Sequence, residues 1–168
     1  MQDRDAEFVE YVDARALVMR RTAYLLCGDW HRAEDLVQTA LTKIYVAWPR
    51  LRKDGSVDAY SRKVLVRTAI DESRRAFRRR ETVVDTLPEV PAAPGNVDDT
   101  VDVRRALVQL PAGQRATVVL RYWEDLTVAE TARLLGCTEG TVKSQASKGL
   151  ATLRRLLAAG RPVLEEQR

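Results

Sequence analysis

The side chains best suited to chemistry in this chain are arginines set at helical spacing. Arg67, Asp71, Arg74 and Arg78 follow one another at steps of four, three and four, with Arg75 and Arg79 beside them. On a helix that spacing lines them along one face. A guanidinium offers a planar fork of donors that grips phosphate oxygens or a guanine edge, and Asp71 fits as an i,i+4 partner that aims Arg67 and Arg75. A solvated charged face would use the same residues, so this run alone leaves both readings open. A second set, Thr141, Lys143, Ser144, Ser147 and Lys148, places small hydroxyls and ammonium groups at the start of another periodic run. Small polar side chains let a helix approach a major groove closely, while lysine reaches phosphate or guanine.

Bond-making chemistry is poorly served. Two cysteines, Cys27 and Cys137, and one histidine, His31, are too few for a Cys/His zinc site and suggest no disulfide framework. Both thiols are expected to be small buried hydrophobes. Asp29, His31, Glu34 and Asp35 have a spacing that invites a metal, yet they fit a helix N-terminus better, where acids complement the dipole. There is no glycine-rich phosphate loop. A hydrolase or metal enzyme therefore lacks a convergent set of residues, and no catalytic residue, cofactor or metal is expected.

The chain has 168 residues, 45% of them hydrophobic and 31% charged, the balance of a globular protein with one ordinary domain or two small ones. No run approaches the roughly 20 apolar residues of a spanning helix, and the acidic start lacks the basic and apolar parts of a signal peptide. A cytoplasmic location is expected. The net charge of +4 is unevenly laid out. Residues 1–42 are net −3, 43–80 net +8, 81–102 net −6 and 103–168 net +5. Two basic blocks around an acidic one suggest two contacts with a polyanion.

With 6% aromatic residues and 8 glycines, the pattern predicts an all-α protein of two small helical domains, residues 1–80 and 103–168, joined by a flexible acidic linker, 81–102. The linker holds Pro88, Pro91, Pro94 and Gly95 and no basic residue, which opposes helix and strand alike. In the first domain one amphipathic helix should end near Gly28. A second, with Leu36, Val37, Ala40, Leu41, Ile44, Tyr45 and Trp48 on its buried stripe, should close at Pro49. Residues 49–56 then form a polar turn, and Ser56 caps a long helix reaching about Arg80, with Tyr60, Val64, Leu65, Thr68, Ala69, Ala76 and Phe77 inward. In the second domain a short helix from Val103 precedes Pro111, and the next, to Trp123, should bury Val118, Val119, Tyr122 and Trp123. Thr127 with Glu130 is a capping box, Gly136 a left-handed stop, and Thr138 the cap of a helix whose stripe is Val142, Ala146, Leu150, Leu153 and Leu157. Two short helices around a tight turn describe a helix-turn-helix.

The string TVAETARLLGCTEGTVKSQASKGLATLRRLL resembles region 4 of bacterial sigma factors of the extracytoplasmic-function group, and LPAGQRATVVLRYWEDLT is similar to its approach. AEDLVQTALTKIYVAWPRL and VDAYSRKVLVRTAIDESRRAFRRR resemble the core-binding and promoter-reading segments of region 2, and the region 4 string TVKSQASK resembles an actinobacterial, SigE-like subgroup. The resemblance implies a non-enzymatic promoter-specificity subunit of RNA polymerase with no small-molecule substrate. It implies that Asp35, Leu36 and Gln38 meet the β′ clamp helices of core polymerase and that region 4 docks on the β flap. It assigns the minus-10 element to Arg67, Arg74, Arg75 and Arg78, with the loop Leu51 to Ser56 holding an extruded base. The minus-35 element falls to Thr141, Lys143, Ser144, Ser147 and Lys148. The acidic linker would follow the polymerase channel as a nucleic-acid mimic, and an anti-sigma protein is an implied partner. The alternative is a stand-alone helix-turn-helix regulator that binds DNA without polymerase.

Overall fold

A computed structural model describes residues 2–82 and 99–160. The chain is all-α, with no strand among the described residues. Three long helices, α1 (Gln2–Cys27), α2 (Trp30–Asp54) and α3 (Val57–Thr82), form the first unit. The second is built from α4 (Asp99–Gln109), α5 (Ala112–Val118) running into a π-helical turn (Val119–Trp123), α6 (Val128–Leu135) and α7 (Glu139–Ala159). The expected linker loses its ends to α3 and α4, and its remainder, 83–98, lies outside the described residues.

Local chemistry sets most boundaries. α1 stops at Gly28, whose φ of +77° only glycine adopts without strain. Asp29 caps α2, its carboxylate accepting the Arg32 amide at 2.8 Å. On α2, Ala33, Leu36, Val37, Ala40, Ile44, Trp48 and Leu51 are buried at steps of three and four, the stripe the periodicity predicts. Phe8 and Tyr11 of α1 pack edge-on or tilted against Trp48, with ring centroids 5.2 Å away.

The structure corrects the expected end of α2 at Pro49. The helix continues to Asp54 and stops at Gly55, which has φ +62°, so Leu51 to Asp54 are its last turn and Leu51 is core. An interior proline costs about 3 kcal/mol, partly through the hydrogen bond it cannot donate. The carbonyl it leaves unbonded is that of Tyr45, and Arg4 Nη2 donates to it at 3.2 Å. That bond, worth about 1 kcal/mol, and burial of Leu51, worth about 1.5–3 kcal/mol, offset the cost. No open loop from Leu51 to Ser56 remains to hold a base.

Three expected core residues also move outward. Phe77 is 63% exposed on α3, where Val66 and Ser61 are buried instead. Tyr122 and Trp123 are 56% and 53% exposed, while Leu120 is buried. Their displacement has a local cause: after Val118 the hydrogen bonds lengthen to i→i+5, with the Glu124 amide donating to the Val119 carbonyl at 3.0 Å. Widening the turn rotates the following residues off the inward face.

The second unit closes around α7. Gly149 is buried where α5 comes closest: a Cβ there would stand 2.8 Å from Val118 Cγ2. One apolar cluster runs through both units, Leu26 and Leu65 of the first joining Leu107, Leu110 and Val118 of the second. No described helix is long and apolar enough to cross a membrane.

Arg4→Ala should lower stability to urea by about 1 kcal/mol. Adding Pro49→Ala restores an amide to the Tyr45 carbonyl and should recover most of that loss. Strict additivity of the two changes in a denaturation cycle would refute the coupling.

Candidate nucleic-acid interface

Two exposed polar surfaces emerge, one in each unit. In the second, Thr127 accepts the Glu130 amide at 3.1 Å, and Glu130 Oε2 accepts the Thr127 amide at 2.7 Å, so the capping box closes as its spacing predicts. The Thr127 amide and hydroxyl hold the Glu130 carboxyl below its ordinary value. Gly136 takes φ +68° and ends α6. Two residues later Thr138 caps α7, its hydroxyl accepting the Thr141 amide at 3.1 Å. The turn between the helices is therefore held at both ends by local bonds. Thr131, Ala132 and Leu134 of α6 and Val142, Ala146 and Leu153 of α7 are buried.

With that stripe fixed, the opposite face of α7 is open. Thr141, Lys143, Ser144, Ser147 and Lys148 are all exposed within its first three turns. The arrangement is a helix-turn-helix whose second helix presents short hydroxyls and two ammonium groups. On α3, Arg67, Arg74, Arg75 and Arg78 are exposed as well. Among the described residues Asp71 makes no ion pair with Arg67 or Arg75. Two other acids of this helix do pair: Asp58, 2.8 Å from Arg15 Nη2, and Glu72, 3.3 Å from Arg32 Nε.

The comparisons decide what these surfaces belong to. Residues 12–80 match Sigma-70 region 2, and residues 100–153 match Sigma-70, region 4. The RNA polymerase sigma-E factor of Streptomyces coelicolor is 39% identical over 160 residues, 91% of this chain and 87% of the relative. The ECF RNA polymerase sigma factor SigM of Mycobacterium tuberculosis is 32% identical, covering 83% of this chain and 71% of its own. The chain belongs to the ECF sigma factors. A solved sigma factor, RpoE of Bartonella quintana in complex with the anti-sigma factor NepR, superposes with a TM-score of 0.71 at 25% identity, covering 92% of this chain and 99% of its own.

Within this sigma factor the expected site residues divide. The nine on α3 and α7 face solvent. Of the three on α2, Asp35 and Gln38 are exposed, but Leu36 is 2% exposed and belongs to the core. That burial follows its place in the inward three-and-four pattern of α2. Asp29, Glu34 and Asp35 do not assemble with His31: Asp29 caps α2, and Glu34 pairs with Arg20 at 2.7 Å. Among the described residues no group of three His, Cys, Asp or Glu side chains is placed to hold a metal. Cys27 is buried, and burial raises its thiol pKa, so it is a poor nucleophile, while Cys137 is half-buried.

Sequence reasoning passed over the residues that join the units. Arg115 of α5 donates to the Leu26 carbonyl at 2.6 Å and to the Leu110 carbonyl at 3.1 Å, bridging the end of α1 to the end of α4. Burial lowers its pKa. Glu124 accepts from Thr22 of α1 and Arg62 of α3. No short-range signal could reveal pairs 62 to 102 positions apart.

Thr127→Ala should cost about 1 kcal/mol of stability, read by thermal or chemical unfolding. Because the folded pKa of Glu130 is depressed, its contribution is fully present above the ordinary carboxylate value and fades as pH falls through the lowered one. Glu130→Gln should therefore flatten the acid limb of the stability profile; an unchanged limb would argue against the box.

Proposed function

We propose that this ECF sigma factor directs promoter-specific initiation by reading two DNA elements with two helices. Thr141, Lys143, Ser144, Ser147 and Lys148 of α7 enter the major groove at the minus-35 element. Arg67, Arg74, Arg75 and Arg78 of α3 hold the minus-10 element, where captured bases and phosphates offset the cost of unstacking. Asp35 and Gln38, exposed on α2, meet the β′ clamp helices of core polymerase, and the second unit docks on the β flap. The observation that carries this reading is the presence, in one chain, of an open helix-turn-helix face and a separate open arginine face, on segments that match the two sigma regions in order.

The reading gives the chain no chemical step of its own, since phosphodiester formation belongs to the polymerase core. It locates the protein in the cytoplasm with that enzyme. The structural neighbour was solved with an anti-sigma factor, which supports a partner of that kind here.

Mixed with core polymerase, the chain should give run-off transcripts from a defined set of promoters, and transcript sequencing would identify them. Failure to bind core would overturn the proposal, as would full protection of a palindromic site by the chain alone. Lys143→Ala should weaken minus-35-dependent promoters by roughly 1–3 kcal/mol if it reads a base edge. An unchanged promoter preference would remove Lys143 from the reading face.

A further inference from the structure

The π-helical turn sets Tyr122 and Trp123 along an open groove of about 700 Å³, which also takes in Tyr24 of α1 and Trp30 of α2. The floor of the groove is aliphatic: Leu107, Val118, Val119 and Leu153, all of them buried. Trp30, Tyr122 and Trp123 are each more than half exposed beside it. Large rings gathered in water around one concavity mark a binding site, whereas apolar residues scattered singly over a surface do not. The volume lies within the range of ligand pockets, about 300–1,000 Å³.

The charged part of the lining has one sign. Arg21 of α1 and Arg104 of α4 reach the groove, and no aspartate or glutamate lines it. Elsewhere along the seam guanidiniums meet oxygen, as Arg62 does at Glu124 and Arg115 at the Leu26 carbonyl. Among the described residues Arg21 and Arg104 pair with no carboxylate. Arg104 lies over the Tyr24 ring, 5.1 Å from its centroid, and Tyr24 stacks in turn on Trp30 at 4.1 Å. A guanidinium held over a ring keeps its in-plane N–H donors for an anion. The lining thus asks for an apolar body with a single negative end.

We infer that this groove binds a medium-chain fatty acid of about a dozen carbons, its chain on the aliphatic floor between the rings and its carboxylate on Arg104 and Arg21. Branched aliphatic side chains suit a flexible chain, where a rigid ring system would need a flat wall. None of these residues belongs to either DNA-reading face, so the inference stands apart from the promoter reading.

The test uses the full chain and ω-bromododecanoate, kept below micelle formation. Bromine quenches an indole it touches, and of the three tryptophans Trp30 and Trp123 line the groove while Trp48 is packed in the core. Quenching should saturate, and Trp30→Phe/Trp123→Phe should escape it. Dodecanoate should displace the probe. From octanoate to dodecanoate, displacement should strengthen about three- to fourfold for each methylene buried. Arg104→Gln should weaken dodecanoate about tenfold, the exposed Arg21→Gln less, while dodecanol binds both as it binds wild type. Circular dichroism checks that helix content is kept. Quenching that persists in the double phenylalanine variant would overturn the site, as would dodecanol binding wild type as well as dodecanoate does. Quenching that climbs without saturation would mean partition onto apolar surface only and would overturn it too. Displacement by phosphatidylglycerol vesicles but not by dodecanoate would overturn the single-chain site in favour of a lipid surface.

Discussion

Two positively charged bodies pack together in this molecule, and the structure depends on how that repulsion is met. Residues 43–80 carry a net charge of +8 and residues 103–168 a net charge of +5. Their shared boundary holds little positive charge that is not answered. Arg62 meets Glu124, and Arg115 is spent on two helix-end carbonyls, where the negative pole of α1 favours a cation. Arg67, Arg74, Arg75, Arg78 and Arg79 of α3 are exposed. Apolar burial supplies the adhesion between the units, and the placement of one acid decides that the basic surfaces can lie side by side.

The same economy separates reading surfaces from supporting ones. On α2 and α7 the buried stripe is unbroken, so the remaining residues are committed to solvent by geometry. Small side chains on α7 are useful outside because Val142, Ala146 and Leu153 fix the helix from inside. Capping bonds at Thr127 and Thr138 then fix where the turn falls, which aims the first turns of α7 with no long-range help. The arginine face of α3 is aimed less strictly, since its expected carboxylate guide, Asp71, takes no part.

What could be read from the sequence was what short-range chemistry dictates. The capping box, the helix end at Gly28, the left-handed stop at Gly136, the stripe of α2 and the polar face of α7 each follow from residues within a few positions of one another. One error arose where a distant residue overruled a local rule. Pro49 is a helix breaker by its own chemistry, and Arg4, 45 positions earlier in the chain, supplies the donor that keeps α2 intact. Leu36 shows another limit: a motif resemblance names a segment, whereas burial is settled side chain by side chain. Glu124 gave no sign at all, because its partners are brought to it only by the packing of α1 and α3.

The π-helical turn carries a consequence of its own. Between Val119 and Trp123 the backbone takes one residue more per turn than an α-helix needs, and that surplus turns Tyr122 and Trp123 toward solvent and brings Glu124 to the seam. Removing any single residue there would leave a perfectly acceptable α-helix while re-aiming everything after it by about a quarter of a turn. Segment length in this stretch is thus as strongly constrained as residue identity: a substitution alters one contact, whereas a deletion would rewrite which face of the second unit meets the first.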